Sequence, residues 1–410
     1  MVEKFVIDKI LRRVRHGRVV MRYWDGEERS YGRSGPVVHV RVNNPAVARK
    51  AVRSASLAFG EAYMHGEVEV PEDELDTLFL LVARNRAAVR GLTPLRRIHR
   101  SERNRRGRQR EQISRHYDVG NDYYRLFLDP TLTYSCGYFE TPDDSLEAAQ
   151  RQKLDHTLRK LRIEPGQRLL DIGSGWGHLA VTAAKQYDVS VLGVTLSHEQ
   201  LDEAQKLAAR EGVADRVHFR LMNYQDVPES TDPVVRGSFD RIVSVGMFEH
   251  VGRDLHRNFF EVVDKLLVPG GVGLVHTITN QMLQSNDAWV DTHIFPGGYL
   301  PTVAELEGLL AARGLWSIDR ENLWHQYART LSHWRQNHQA NRDRIVEMFD
   351  EEFYRMRDLW LAGSQAGFAH GTLGLAQIVF AKGKPTGWPL TRRELYSART
   401  VASAPTTGWT

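Results

Sequence analysis

The chain has 410 residues, 41% hydrophobic and 26% charged, with a formal net charge of +4 and a single cysteine, Cys136. That balance excludes a fibrous or low-complexity chain, and the lone cysteine excludes an intramolecular disulfide and a cysteine-built metal cluster. No apolar run reaches transmembrane length, and MVEKFVIDKILRRVRHGRVV lacks a signal-peptide core and cleavage site, so a cytoplasmic protein is expected.

Residues 1–90 read as a small independent α+β module. Phe5, Ile7, Ile10, Leu11 and Val14 recur at helical spacing, strands are expected at Val19–Trp24 and Val37–Val42, and an apolar helix near Leu75–Val82. Arg84 to Arg115 then holds twelve arginines against two acids, Glu102 and Glu111, broken by Gly91, Pro94 and Gly107. It reads as a linker, either a solvated connector or a site for an anionic partner. A membrane surface would contribute about 1 kcal/mol per basic residue. Nucleic acid is the weaker partner, because few aromatics interleave with the arginines and no base-reading motif is present.

Ser114–Glu140, SRHYDVGNDYYRLFLDPTLTYSCGYFE, is a polar-aromatic stretch too unusual to be set by packing alone. Beyond it, RLLDIGSGWG (Arg168–Gly177) is a short apolar strand ending in a glycine turn, Gly173, Gly175 and Gly177, that lets main chain approach a ligand ahead of a helix N-terminus. Taken alone the turn also suits a purely structural role. It has neither the G-x-G-x-x-G of pyrophosphate binders nor a P-loop's G-K-[ST]. The surviving ligand is S-adenosylmethionine, with Asp171 and the glycines at its amino-acid end.

Further strands are expected at Ser190–Thr195, Val217–Leu221, Phe239–Val245 and, after the Pro269-Gly270-Gly271 turn, Val272–Ile278. Amphipathic helices near 178–187, 199–212 and 255–267 separate them. The alternation predicts a Rossmann-like doubly wound sheet, the class I methyltransferase fold, with the ligand at the strands' carboxyl ends. Leu196, Ser197 and Gln200 fall where a ribose would lie, and Tyr224 and Gln225 where an adenine would lie. Residues 279–301 form a loop-rich insertion, residues 324–371 a helical lid, and Gln377–Ala381 the last, antiparallel strand; 401–410 reads as a mobile tail.

These motifs together resemble the cyclopropane-fatty-acid synthase family, which includes the mycolic acid cyclopropane synthases. The resemblance rests on HYDVGNDYY, LTYSCGYF, LLDIGSGWG, GVTLSHEQ, SVGMFEHVG, HTI, HIFPGGYLP and QYARTLSHW, and it covers nearly the whole chain. The first ninety residues are most similar to the family's long bacterial members, which act on intact phospholipids. The resemblance implies cofactor contacts at Tyr134 and Ser135, at Gly173, Gly175, Trp176 and Gly177, at Thr195, Leu196, Ser197 and Gln200, and at Tyr224 and Gln225. It also implies a bicarbonate ion held at Cys136, Glu249, His276, Ile278 and Tyr327. Donors would come from His276, Tyr327 and main-chain amides near Cys136 and Ile278, and Glu249 would accept the ion's hydroxyl hydrogen. Each residue alone has an ordinary reading: Glu249 as a helix cap, His276 as a core histidine, Tyr327 and Cys136 as packing.

A catalytic metal is not expected, since no histidine pair sits with a carboxylate at zinc spacing. Some family members carry a cysteine where this chain has Ser364, so a covalent thiol mechanism is disfavoured. The implied protein is a cyclopropane synthase acting on cis-unsaturated phospholipid acyl chains, peripheral to the inner face of the cell membrane, with a homodimer among the expected assemblies. Its parts would be a lipid-associating domain (1–90), an arginine-rich linker (91–113), the catalytic domain (114–400) and the tail. The nearer alternative is a methylene-branched product formed without ring closure; the remote one is a nucleic-acid binder or RNA methyltransferase.

Overall fold

The computed structural model describes residues 2–89, 120–284 and 286–396. The linker 91–113, the opening of the Ser114–Glu140 signature and the tail 401–410 lie outside the described residues.

In the first module, β1 (Arg18–Arg22), β2 (Glu28–Gly32), β3 (Val37–Val42) and β4 (Val68–Glu69) form a sheet in the order β2-β1-β3-β4. The sequence carries no signal for β2 because it is an edge strand that buries only Tyr31, and an edge strand needs no apolar alternation. Helices Ala55–Met64 and Leu75–Val89 pack on this sheet. The module packs against the rest of the chain: its core residues belong to the same packed cluster as Trp334, Tyr354 and Trp360. Arg335 ties the two parts together, binding Asp358 (2.8 Å), Asp76 (2.8 Å) and the Glu72 carbonyl (2.9 Å).

The second sheet contains β5 (Arg168–Ile172), β6 (Ser190–Thr195), β7 (Val217–Leu221), β8 (Phe239–Val245), β9 (Leu267–Asn280), β10 (Leu315–Asn322) and β11 (Leu373–Lys382). Its order is β10-β11-β9-β8-β5-β6-β7, with β5 to β9 parallel and β10 and β11 antiparallel. Alternate residues of the central strands enter different clusters: Leu169, Val191 and Val243 on one face, Leu170, Leu192 and Ile242 on the other. Burial on both faces explains the unbroken apolar runs.

Three details depart from the sequence reading. β10 carries no apolar pattern, since only Leu315 of its eight residues is buried and it forms the sheet's edge. The segment Gln377–Ala381 is antiparallel as expected, yet β11 lies inside the sheet, between β9 and β10. The Pro269-Gly270-Gly271 turn is a register shift within β9 rather than its boundary, with Phe239 opposite Leu267 but Arg241 opposite Val272.

Helices Trp324–Ala340, Arg342–Met348 and Glu351–Ala369 form the lid. Gln326 braces Phe139 through both main-chain groups (2.8 and 3.0 Å), and the Thr330 hydroxyl accepts from the Gly137 amide (3.0 Å). The lid is thereby fastened to the chain that precedes the sheet.

Candidate active site

The glycine turn after β5 has φ of +84° at Gly173, +52° at Gly175 and +87° at Gly177, a region that side chains disfavour. A Cβ on Gly177 would lie 2.7 Å from the Phe219 ring, and one on Gly173 2.7 Å from Met247 Cβ; at Gly175 it would meet open space. Two of the glycines therefore serve close packing, while Gly175 leaves room in front of the turn.

That room is a cavity at the carboxyl ends of β5, β6, β7 and β8. Tyr134, Ser135, Asp171, Gly173, Gly175, Trp176, Gly177, Thr195, Leu196, Gln200 and Tyr224 line it, as the sequence reading has them. Two expected contacts face elsewhere. Ser197 caps helix His198–Arg210, its hydroxyl accepting from the Gln200 amide (3.3 Å), and the Gln225 side chain turns to Asn258.

Lys153 lines the same cavity and was not anticipated. Its ammonium, 2% exposed, donates to the Ser135 hydroxyl (3.0 Å). Burial pushes Lys153 down to about 8, opposed by the charges of Asp129 and then Asp171, and pushes Asp171 up to about 7, opposed by the charge of Lys153. A signal was available: helix Leu146–Leu161 buries Ala149, Gln150, Lys153, Leu154, Thr157 and Leu158, which places a lysine on the inward stripe.

The second set of residues adjoins this cavity. Because β8 stops at Val245 while β9 runs to Asn280, the amide of Ile278 has no ladder partner on that side. The chain folds back to meet it. The Gly246 amide closes on the His276 carbonyl (2.9 Å), and Glu249 Oε1 accepts from the Ile278 amide (2.7 Å). The Ile278 N–H, anticipated as a donor to an ion, is thus engaged in holding the carboxylate. Burial pushes Glu249 up to about 7 against that hydrogen bond, and its Oε2 is buried with no hydrogen-bond partner among the described residues.

His276 and Ile278 share one face of β9. His276 is 1% exposed, its Nδ1 lies 3.0 Å from Gln377 Nε2, and its Nε2 has no partner among the described residues. Burial, with the charges of Lys153 and Lys160, pushes it down to about 3, so the ring is neutral. Cys136 is buried, with Sγ 4.0 Å from the Thr330 hydroxyl, and burial pushes its thiol up, away from nucleophilic use. Tyr327, one turn before Thr330, packs on Phe368 with ring centroids 4.7 Å apart. Cys136, Ile278 and Tyr327 belong to one packed cluster. None of the five lines the cofactor cavity, but the chain neighbours Ser135 and His250 do. Glu249 Oε2 and His276 Nε2 are thus two buried polar atoms, on the loop after β8 and on β9, that have no hydrogen-bond partner among the described residues.

A family model described as mycolic acid cyclopropane synthetase matches residues 104–378, and one described as a domain of unknown function matches 6–89. The cyclopropane-fatty-acyl-phospholipid synthase of Escherichia coli K12 is 37% identical over 362 residues, covering 86% of this chain and 90% of its own. Tuberculostearic acid methyltransferase UfaA1 of Mycobacterium tuberculosis H37Rv is 35% identical over 360 residues, covering 83% and 82%. The crystal structure of mycolic acid cyclopropane synthase CmaA1 with SAH and CTAB matches at a TM-score of 0.61 and 35% identity, covering 67% of this chain and 98% of that one.

Proposed function

The chain belongs to the mycolic acid cyclopropane synthetase family and is an S-adenosylmethionine-dependent methyltransferase of the cyclopropane-synthase type, and from that premise we propose that it cyclopropanates cis-unsaturated acyl chains of phospholipids with bicarbonate as base. The observation that supports the finer reading is that two buried atoms, Glu249 Oε2 and His276 Nε2, have no hydrogen-bond partner among the described residues, while His250, next to Glu249, lines the cavity. When bound, S-adenosylmethionine supplies an electrophilic sulfonium methyl group and bicarbonate a general base.

The chain's own residues do the rest. Asp171 and the turn around Gly175 hold the amino-acid end of the cofactor, and Thr195, Gln200 and Tyr224 hold its nucleoside. His276 Nε2–H and the Tyr327 hydroxyl donate to the ion while Glu249 Oε2 accepts its hydroxyl hydrogen and orients it. The alkene forms a bond to the methyl carbon as the carbon–sulfur bond breaks, leaving a cation on the neighbouring acyl carbon. Ring closure releases a proton from the new methyl carbon, which an anion held by His276, Tyr327 and Glu249 would be placed to accept. The alkene is a poor nucleophile, so orientation and water exclusion under the lid contribute much of the acceleration.

Residues 2–89 and the arginine run serve approach to the anionic membrane surface in this reading. Phe5 and Val52, 65% and 63% exposed on adjoining helical segments, suit such a surface. Among the described residues no helix is long and apolar enough to cross a membrane.

The likeness to a tuberculostearic acid methyltransferase favours a second reading, in which the same cation loses a proton without ring closure. Both products add the same atoms, so mass does not separate them. Lipids from a host expressing the protein should show high-field cyclopropane proton signals in NMR spectra. Vinylidene signals in their place would retain the methyltransferase and reject the ring.

A further inference from the structure

Behind His276 lies a row of buried polar side chains to which the reaction assigns no part. Gln377, fully buried on β11, stands directly opposite His276 in the antiparallel register. Its carboxamide is hydrogen-bonded at both ends. Oε1 accepts from Lys160 Nζ (2.7 Å), and Nε2 lies 3.0 Å from His276 Nδ1 and 3.4 Å from the Thr157 hydroxyl. Lys160 is 1% exposed and also pairs with Glu321, which in turn binds His156 Nε2 (2.7 Å).

The donor and acceptor chemistry of this row has one consistent solution. An ammonium only donates, so the Gln377 atom facing Lys160 is the carbonyl oxygen, and the amide nitrogen faces His276. Thr157 agrees, since its hydroxyl hydrogen is directed to the Lys153 carbonyl (2.8 Å), leaving a lone pair for the amide. The amide nitrogen only donates, so His276 Nδ1 accepts and the ring proton resides on Nε2. Burial lowers the pKa of Lys160, and the Glu321 carboxylate paired with it opposes that shift.

We propose that Gln377 and Lys160 are positioning residues that lock His276 in the Nε2–H tautomer, so that the imidazole presents a fixed donor to the anion site. This rests on the bicarbonate reading above for its purpose, though not for its geometry. With the ring free to exchange tautomers, half of the useful arrangements would present a lone pair to an anion. The packed row removes that alternative before any ligand arrives, which is preorganisation of the kind that electrostatic catalysis requires. A packing role alone for Gln377 would leave the ring's proton unassigned.

The test is ¹⁵N NMR of the full-length protein labelled at histidine, with His276→Asn identifying the signals of that ring. In wild type the ring should be neutral, with Nε2 protonated and Nδ1 bare, in buffer free of bicarbonate. In Gln377→Glu the carboxylate that replaces the amide nitrogen recruits a proton to Nδ1, and turnover should fall at least tenfold with cofactor affinity unchanged. A wild-type ring protonated on Nδ1, or a Gln377→Glu enzyme with wild-type turnover, overturns the proposal. If Gln377→Glu does not fold, the wild-type spectrum alone decides. Turnover unaffected by removal of bicarbonate would reject the assigned base and leave the tautomer result standing, so the two failures are distinguishable.

Discussion

At Glu249 a single carboxylate faces two demands, and its two oxygens divide them. Oε1 is held by the Ile278 amide, and Oε2 has no hydrogen-bond partner among the described residues. Glu249→Gln keeps an oxygen for Ile278 but replaces the second acceptor with a donor. Its turnover should fall about 100-fold or more, in the range that positioned acid–base groups supply, with cofactor affinity retained. Labelled methyl transfer to unsaturated vesicles and calorimetry with the cofactor would measure the two separately. The pH dependence follows from burial, which moves the carboxyl from 4.5 to about 7 in the folded protein. Since the folded state binds this proton more tightly, its stabilising effect is fully present below pH 4.5 and is lost as pH rises through about 7. Glu249→Gln without ligands should therefore melt higher than wild type at about pH 8, by up to about 3 kcal/mol, and equally at about pH 4. In the wild-type enzyme, kcat/KM should fall on the acid side with an apparent pKa near this value.

At the scale of elements, the glycine turn separates folding from ligand approach. Gly175→Ala meets no protein atom and should cost only about 1–2 kcal/mol for its left-handed backbone, while its methyl group intrudes on the cavity and weakens cofactor binding tenfold or more. Gly177→Ala adds a clash with Phe219 and Ala204, at 2.7 and 2.9 Å, and should lose stability well beyond that. Thermal melts set beside calorimetric titration of the cofactor would distinguish the two, and equal melting temperatures would contradict the division of roles. The same scale shows what periodicity conveys. β6 and β8 have the bounds that their apolar runs indicate, because strands covered on both faces need such runs. β2 and β10 lie at edges, where solvent accepts one face and one row of backbone groups, so their residues carry no comparable pattern.

For the whole molecule, the joint between the first module and the lid is electrostatic at its centre. Arg335→Met would leave Asp358, fully buried, without its cation, and should destabilise the protein by about 3–5 kcal/mol. Adding Asp358→Leu should recover most of that loss. Denaturant titration of the single and double variants would measure it, and a double variant no better than the single would show that packing rather than charge holds the joint. The arginine run belongs to this scale too. Replacing several arginines between Arg96 and Arg110 with glutamine should weaken binding to anionic vesicles, with the defect shrinking as salt rises and screens the wild type as well. Equal binding by both proteins at low salt would remove the membrane from this reading.

By itself the sequence determined the parallel strands, the glycine turn and many of the residues that line the cavity at the strands' carboxyl ends. These depend on local features: apolar runs, positive-φ glycines and residues adjacent in the chain to strand ends. It also singled out Glu249, His276, Ile278, Cys136 and Tyr327, though only through motifs, since nothing in their spacing relates one to another. The tertiary structure alone decided that the Ile278 amide is engaged by Glu249, that Lys153 lines the cavity, and that the Gln225 side chain meets Asn258. It alone set Gln377 against His276 and Lys160 behind Gln377. The physical reason is that a hydrogen bond between residues on different elements, 29 positions apart for Ile278 and Glu249 and 217 for Lys160 and Gln377, is chosen by how strands pair and helices cross. Residue type specifies which bonds a side chain can make, and packing specifies which partner it meets.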